Sequence, residues 1–436
     1  MYSIIYRRII LLNNNTNIKI NQVTEKTLVI GIDIAKRKHY ACAVDERGRV
    51  LRKSFPISQT AEGFTTFYQQ ILALQQEYNK DEVIVGFEPT GHYWMNLAAY
   101  LIGHSIRYVI VNPMHVKKSK ELDDNLQTKN DAKDALIIAR LIRDGRFSFP
   151  RILEGVEAEL RNGASYRAKL QEELAALKNR MIRWTDRFFP EFQNVFKDFG
   201  KNALAVLEKT PLPEDLRERD LAELLSLYKE VEGLKCVSSP KIIQLKQFAE
   251  TSIGLTEGLQ MARFEIQSLV MQFRFLQQQY ELLAEHLQEI VLEIPDYAFL
   301  ITIPGVGPNT VIELLSEAGP LKNYQNPRQL IKLAGLTLRE NSSGEHKGQK
   351  KISKRGRKRL RAALFRAILP LISYNSAFRA LYEYYIERPV NPLRKKEAMV
   401  VLCGKLLKIA HGLCRKKVNF QSEQMVKDLI CLKATA

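Results

Sequence analysis

The sequence predicts a mixed α/β domain followed by two mainly helical regions, an arm and a basic closing domain. Three observations carry that expectation. Between residues 27 and 111, apolar runs of strand length alternate with turn signals and amphipathic stretches. From 170 to 188 and again from 255 to 290 the apolar residues recur at spacings of four and three, the period of packed helices. Beyond 293, glycine-marked turns and a dense run of Lys and Arg separate helical segments.

The 436 residues exceed one small domain, and 45% of them are hydrophobic, enough for several cores. A net charge of +18 favours a polyanionic partner, nucleic acid before a membrane surface. Five cysteines lie far apart with no CxxC pair. They fit buried thiols in a reducing cytosol and argue against a zinc site or a disulfide framework. No apolar run reaches the length of a membrane span. Residues 1–26 hold only Ile9-Ile10-Leu11-Leu12 as an apolar block before an Asn-rich run. That is too short for a signal-peptide core and reads as a loose tail, an over-extended start of the gene.

Residues 27–150 are expected to form one domain. The run from Thr27 to Ala35 is a buried-strand pattern interrupted by a single acid, Asp33. A lone buried carboxylate is costly, so Asp33 needs a partner or a metal. Two further strands, Tyr40 to Val44 and Val50 to Ile57, flank an Asp45–Arg49 hairpin turn. An amphipathic helix from Glu62 to Tyr78 leads to a strand that ends on a second acid, Glu88. A helix from Tyr93 to Ile102 and a strand from Arg107 to Val111 follow. Three antiparallel strands and then alternating helix and strand is the order of a ribonuclease-H-like fold. The next helix carries Asp131 and Asp134, three apart and therefore on one face. Taken singly, Glu88 reads as a helix cap, and Asp131 and Asp134 as surface charges beside Lys129 and Lys133. Taken together, four carboxylates in this order can meet at one point, and such hard oxygen ligands suit Mg²⁺.

In residues 151–292, Leu170, Leu174, Leu177, Met181, Trp184 and Phe188 repeat at alternating spacings of four and three. A second seam runs from Leu255 to Ile290, a coiled-coil pattern whose helix would span roughly 50 Å. Pro190, Pro211, Pro213 and Pro240 punctuate short helices between them. An antiparallel helical arm is the natural reading, while an intermolecular seam or a plain bundle core uses the same spacing.

Residues 293–436 open with Ile303-Pro304-Gly305-Val306-Gly307-Pro308, a helix-hairpin-helix signature in which Gly305 and Gly307 let backbone N–H groups approach a phosphate. Eleven cations then fall between Arg339 and Arg366, against only Glu340 and Glu345. They are Arg339, Lys347, Lys350, Lys351, Lys354, Arg355, Arg357, Lys358, Arg359, Arg361 and Arg366. The polar turn Asn341-Ser342-Ser343-Gly344 precedes most of them, and Ser353 is placed to cap a helix running from about Lys354 to Leu369. A hydroxyl beside so much positive charge can attack a phosphodiester; a solvated basic face with a Ser-rich turn has the same composition. Met399, Leu402, Leu406, Ile409 and Leu413 line one face of a closing helix.

GIDIAK at 31–36, FEPTGHYW at 87–94, VNP at 111–113, KNDAKDA at 129–135, IPGVGPNT at 303–310 and GLTLRENSSG with ISKRGRKRLR at 335–361 occur in this order. In that order and spacing, the chain from 28 to about 415 resembles the DEDD-type insertion-sequence transposases, bridge-RNA-guided serine recombinases. The resemblance implies a RuvC-like first domain, a coiled-coil linker and a C-terminal transposase domain. It implies that Asp33, Glu88, Asp131 and Asp134 bind Mg²⁺, and that Ser343, immediately before Gly344, attacks DNA. The acids would be supplied to Ser343 across a domain or subunit boundary. Target and donor DNA, a structured guide RNA, dimers that pair into tetramers, and a place in the prokaryotic cytoplasm at the nucleoid are implied likewise. The chain departs from the family pattern at Leu338, where Pro is usual, and at Ser342, which doubles the hydroxyl. Two other functions fit parts of the pattern. One is a junction-resolving endonuclease using metal-activated water, which leaves the basic domain and Ser343 superfluous. The other is a non-catalytic nucleic-acid scaffold, which has no need of four clustered acids.

Overall fold

The computed structural model describes residues 16–425 except 90, 124–130, 151, 152, 235, 340, 341, 344, 345 and 348–350. For residues 16, 122, 123, 131, 132, 342, 343, 346 and 347 it describes the backbone alone. The chain divides into two compact units, Met1–Ile152 and Leu153–Ala436.

The first unit begins with helix α1 (Thr16–Ile20) and the strands β1 (Thr27–Asp33), β2 (Lys38–Val44) and β3 (Val50–Ser58). It continues through α2 (Ala61–Glu77), β4 (Glu82–Phe87), α3 (Trp94–Gly103), β5 (Arg107–Val111), α4 (Pro113–Asp123), α5 (Asp131–Arg143) and β6 (Phe147–Ser148). The sheet order is β3-β2-β1-β4-β5-β6. The first three strands pair antiparallel, while β1, β4 and β5 run parallel. This is the ribonuclease-H-like order expected from the sequence, with α4 and the short antiparallel β6 added.

β1 is apolar on both faces because both are covered. Leu28, Ile30 and Ile32 join the core with Phe64 and Phe67 of α2 and Leu97 and Leu101 of α3. Val29 packs on the other face with Ile84, Val109 and Val111 beneath Ala135, Ile138 and Ile142 of α5. Gly31 makes that second contact possible. A Cβ there would overlap the Ala135 carbonyl and the Ala139 nitrogen, so the α5 backbone lies directly on the strand. Gly31→Ala is therefore expected to destabilise the unit by about 3 kcal/mol, as overpacking against immobile backbone does; a urea midpoint unchanged from wild type would contradict this.

Residues 16–26 are not the loose tail that their polar composition suggests. Lys19 of α1 is buried and donates to the Phe147 carbonyl at 2.5 Å, tying this segment to the β6 edge. No described helix is long and apolar enough to cross a membrane.

The second unit is helical. α6 (Gly155–Phe188) and α12 (Leu259–Leu292) are 34 residues each, and α7 (Phe192–Val195), α8 (Lys201–Lys209), α9 (Pro213–Arg217), α10 (Leu221–Lys229) and α11 (Ser239–Glu250) lie between them in sequence. α6 and α12 run antiparallel: Gly163 meets Leu287, Lys178 sits over the Phe273 ring, and Trp184 Nε1 donates to the Ala262 carbonyl at 2.9 Å. The second seam starts later than its spacing suggests. Gly258 takes a left-handed φ of 72° and α12 begins after it, leaving Leu255 in the preceding loop, 56% exposed. At the far end, the short helices close a core of Trp184, Phe189, Phe192, Leu207 and Tyr228.

The chain closes with α13 (Asp296–Leu300), α14 (Pro308–Ala318), α15 (Pro327–Leu333), the strands β7 (Leu338–Arg339), β8 (Ser342–Ser343), β9 (His346–Lys347) and β10 (Lys351–Ile352), then α16 (Lys358–Tyr374), α17 (Ser376–Glu387) and α18 (Lys395–Lys416). Met399, Leu402, Leu406 and Leu413 of α18 pack in one core with α14, α16 and α17, and Ile409 is partly buried against it. Ser353 caps no helix. Its N–H donates to the Thr337 carbonyl, and α16 starts five residues later, on Arg357 with no side-chain cap.

Candidate active site

The two strand acids share one edge of the first sheet. Asp33 ends β1, and Glu88 follows the last residue of β4. The strands pair in parallel with Ile32 opposite Phe87, so the next step of the register sets Asp33 beside Glu88. By strand alternation Asp33 continues the face of Val29 and Gly31, which α5 covers. Glu88 continues the line of Ile84 and Gly86, and Gly86 likewise meets Ile142 of α5. Ala135 of α5 rests on Gly31, so the first turn of the helix, with Asp131 and Asp134, lies toward the carboxyl end of β1. Asp33, Glu88 and Asp134 are each partly buried.

A positive charge stands at this edge. Lys120 of α4 forms an ion pair with Asp134. Among the described residues no three His, Cys, Asp or Glu side chains are grouped to hold a metal, and the Asp131 side chain lies outside that set. The donor chemistry nonetheless suits a divalent cation. Carboxylate oxygens from two adjacent strands and one helix are hard ligands, and Lys120 supplies a cation to one of them.

A buried polar relay braces the two loops that carry the strand acids. The Ala35 N–H, two residues past Asp33, donates to His39 Nδ1 at 3.2 Å. His39 Nε2 bonds Gln59 Oε1, and Gln59 Nε2 donates to the Tyr93 carbonyl at 3.0 Å, in the segment after Glu88. Burial holds the imidazole pKa below its ordinary value, so the ring is neutral at pH 7 with Nδ1 free to accept.

In the second unit, Arg339 pairs with Lys351 and Leu338 with Ile352, an antiparallel base between β7 and β10. Between them, Ser342 pairs with Lys347 and Ser343 with His346. Ser343 is thus held in a ladder enclosed by strands that carry Arg339 and Lys351. Arg339, Lys351, Lys354, Arg355, Lys358 and Arg359 are exposed.

A transposase family model matches residues 30–190, and a model described as Transposase IS116/IS110/IS902 family matches residues 297–383. The chain belongs to the DEDD-type insertion-sequence transposases. The pilin gene-inverting protein of Moraxella bovis is 25% identical over 396 residues, covering 90% of this chain and 97% of its own. The transposase for insertion sequence element IS1111A of Coxiella burnetii is 21% identical over 402 residues, 90% of this chain and 91% of its own. Among solved structures, T. thermophilus RuvC in complex with a Holliday junction substrate aligns with 28% of this chain and 98% of its own, at 17% identity and a TM-score of 0.21. As a transposase, the chain is an enzyme that acts on DNA.

Two of the cations expected to meet nucleic acid make contacts within the second unit of the transposase. Arg357 Nη1 donates to the Glu317 carbonyl and lies 3.6 Å from its carboxylate, where Arg161 of α6 also pairs. Arg361 Nη1 donates to the Ala334 carbonyl at 2.9 Å. The knot they close needs glycine: a Cβ at Gly356 would overlap the Leu333 carbonyl and the Gly335 nitrogen. Arg366 is exposed but pairs with Glu313 at 2.7 Å. Lys350 lies outside the described residues, as do Asn341 and Gly344 of the serine turn and the side chains of Ser343 and Lys347.

Gly305, at φ 92°, has a packing role: a Cβ would come within 3.1 Å of Leu371 Cα and the Pro370 carbonyl. Gly307 precedes α14 in extended conformation with open space beside it. The expectation of uniformly buried thiols fails at Cys236, which is exposed near the far end of the α6–α12 pair. Burial pushes Cys42 up to about 11 and Cys403 up to about 12, so neither supplies a thiolate at neutral pH. Lys120, His39 and Gln59 went unread in the sequence. A lysine in a Lys-rich helix, and a histidine and glutamine at strand ends, carry no pattern that marks them.

Proposed function

We propose that this transposase cuts and rejoins the DNA of an insertion sequence through Ser343, with Asp33, Glu88, Asp131 and Asp134 forming a Mg²⁺-binding cluster. The observation that carries this reading is the parallel register of β1 and β4, which ends with Ile32 opposite Phe87 and so brings Asp33 and Glu88 to the same sheet edge, beneath the helix that bears the other two acids. When bound, Mg²⁺ supplies Lewis acidity to the hydroxyl and neutralises charge at the phosphate. Ser343 Oγ gives up its proton and bonds to phosphorus as the bond to the leaving deoxyribose oxygen breaks, and that oxygen takes up a proton to leave as a hydroxyl. The exposed cations around it steady the charge on the phosphoryl oxygens. His39 and Gln59 hold the acid-bearing loops through the Ala35 N–H and the Tyr93 carbonyl.

The Moraxella relative named as gene-inverting supports a recombinase over a hydrolase. Inverting a segment requires each cut end to be rejoined, and a covalent serine link conserves the bond energy that hydrolysis discards. The reading includes a structured guide RNA, the helix-hairpin-helix turn at Gly305 and Gly307 as a backbone contact to phosphate, the α6–α12 pair as a coiled-coil linker, homodimers pairing into tetramers, and action in the cytoplasm. Incubation with a labelled suicide substrate is expected to leave label on the denatured protein. Cleavage with no protein-bound label would assign the site to a metal-dependent nuclease, and binding with no cleavage would assign it to a scaffold.

Binding should also depend steeply on salt. Leaving aside Arg366, which pairs with Glu313, the six other exposed cations described in the basic segment are expected to cost affinity about 10³-fold between 50 and 200 mM salt, through counterion release. Arg355→Gln and Lys358→Gln should each lower the log–log slope by about one. Arg357→Gln should lower stability and leave the slope alone, because its guanidinium is committed to Glu317. A filter-binding titration across salt that stays flat would remove this segment from the interface.

A further inference from the structure

A cavity of about 240 Å³ opens in the second unit beside the glycine turn of residues 303–308, and the proposed chemistry does not use it. Its walls come from three stretches of chain. Thr302 and Pro304 precede α14, Tyr374 and Asn375 lie where α16 meets α17, and Phe420 and Glu423 follow α18. These walls are fastened to one another. The Phe420 N–H donates to Thr302 Oγ1 at 3.0 Å, and Thr302 Oγ1 donates in turn to the Phe299 carbonyl at 2.6 Å. Asn375, only 3% exposed, accepts from the Ala377 and Phe378 N–H groups through Oδ1. Its Nδ2 donates to the Pro304 carbonyl at 3.3 Å. An amide nitrogen carries two N–H groups, so Asn375 brings one donor more than that bond uses to the cavity it lines. At the rim, the Tyr374 ring is 77% exposed.

We propose that this cavity receives one unpaired nucleobase, stacked on Tyr374, from a nucleic-acid strand whose phosphates lie along the adjoining glycine turn. Three features select a base. Size is the first. The volume falls below the roughly 300–1,000 Å³ of ordinary ligand pockets and suits a single planar ring system. The second is the placing of charge. Glu423 in the wall repels a phosphate, whereas the uncharged edge of a base carries N–H donors that a carboxylate accepts. The cations stand outside: Lys416 and Lys417, both exposed at the end of α18, lead into Phe420 and can hold the flanking phosphates. Guanine, with two adjacent N–H donors on its pairing edge, matches Glu423 best. The third feature is that the walls are already set. Bonds from Phe420 to Thr302 and from Asn375 to Pro304 fix the cavity to the turn, so little ordering opposes entry of the base. A base inside a duplex is covered on both faces by its neighbours and cannot reach Tyr374; an unpaired one can.

The inference rests on the proposed contact between this region and nucleic acid, but not on Ser343 or the sheet-edge acids. Binding is therefore measured, not cleavage, and affinity for a fully paired duplex reports that underlying contact separately.

The experiment is equilibrium binding of the full chain, at one salt concentration, to two end-labelled DNA duplexes. They are identical except that one carries a single unpaired guanine. The same pair is built from RNA. Wild type is expected to bind the bulged duplex about tenfold more tightly than the paired one, the scale of one base stacked on one aromatic ring. Whichever nucleic acid shows that ratio is the source of the base. Tyr374→Ala should bring the ratio to about one and leave affinity for the paired duplex unchanged, and Tyr374→Phe should preserve the ratio. Should Tyr374→Ala fail to fold, Ser376→Trp, a change at an exposed residue of the cavity wall, fills the space and should erase the ratio in its place. A wild-type ratio near one with both DNA and RNA, or a ratio that survives these substitutions, would overturn the cavity assignment alone. Wild type that binds none of the duplexes would overturn the nucleic-acid contact and the cavity assignment together.

Discussion

Replacing Asp33 by Asn is expected to abolish strand cleavage while leaving the fold and DNA binding intact. The amide keeps the size and partial burial of the carboxylate but removes the charge that would hold a divalent cation between β1 and β4. Losing several kcal/mol of transition-state charge stabilisation slows the reaction on the order of 10³-fold. The substitution sits at the strand's last residue, beyond the Gly31 crossing that packs α5, so the thermal midpoint should move little. Cleavage rates with Mg²⁺, set beside a melting curve and a binding isotherm, separate the effects. Cleavage retained within tenfold of wild type would remove Asp33 from the site.

The positions of the strand acids were legible because each breaks an apolar run that has no other place for a charge. A strand covered on both faces reads as continuous hydrophobicity, so a single Asp in TLVIGID stands out. The register that sets Asp33 beside Glu88 followed from strand order, since parallel neighbours with similar apolar lengths align their ends. Lys120 could not be read in this way. Its pairing with Asp134 depends on how α4 packs beside α5, which no periodicity in PMHVKKSKELD reveals.

The internal contacts of the basic segment were hidden for the opposite reason. Eleven cations look alike in sequence, yet Arg357 and Arg361 bend inward because the Gly335–Gly356 contact folds the loop over the end of α15. The acids that receive Arg357 and Arg366, Glu317 and Glu313, sit on α14, some forty residues or more away in sequence. In α12, Ala262, Ile266, Leu269, Phe273 and Leu287 of the seam are buried, while Met261, Phe264, Met271 and Phe275 beside them are exposed. Leucine-rich spacing marked the buried seam, while the Met and Phe series beside it shares the same period and was hidden by it.

Ser343→Ala is expected to eliminate the covalent protein–DNA adduct, whereas Ser342→Ala should retain it. Both serines lie in β8, and a single hydroxyl oxygen forms the bond to a given phosphate. Register distinguishes them: Ser343 is paired with His346, and Ser342 with Lys347. Removing a nucleophile that forms the covalent bond leaves no slower version of the same step. The adduct should therefore vanish, with adduct yield reduced by more than the roughly 10²–10³-fold that loss of one stabilising donor costs. Salt-dependent DNA binding should survive in both variants, because the exposed cations from Lys351 to Arg359 are untouched. Each variant is to be mixed with an end-labelled suicide substrate and resolved under denaturing conditions. Adduct lost in Ser342→Ala and kept in Ser343→Ala would transfer the role to Ser342. Adduct-free cleavage of equal rate in both would show that water, and no serine of this turn, attacks the phosphate at a site built from the sheet-edge acids.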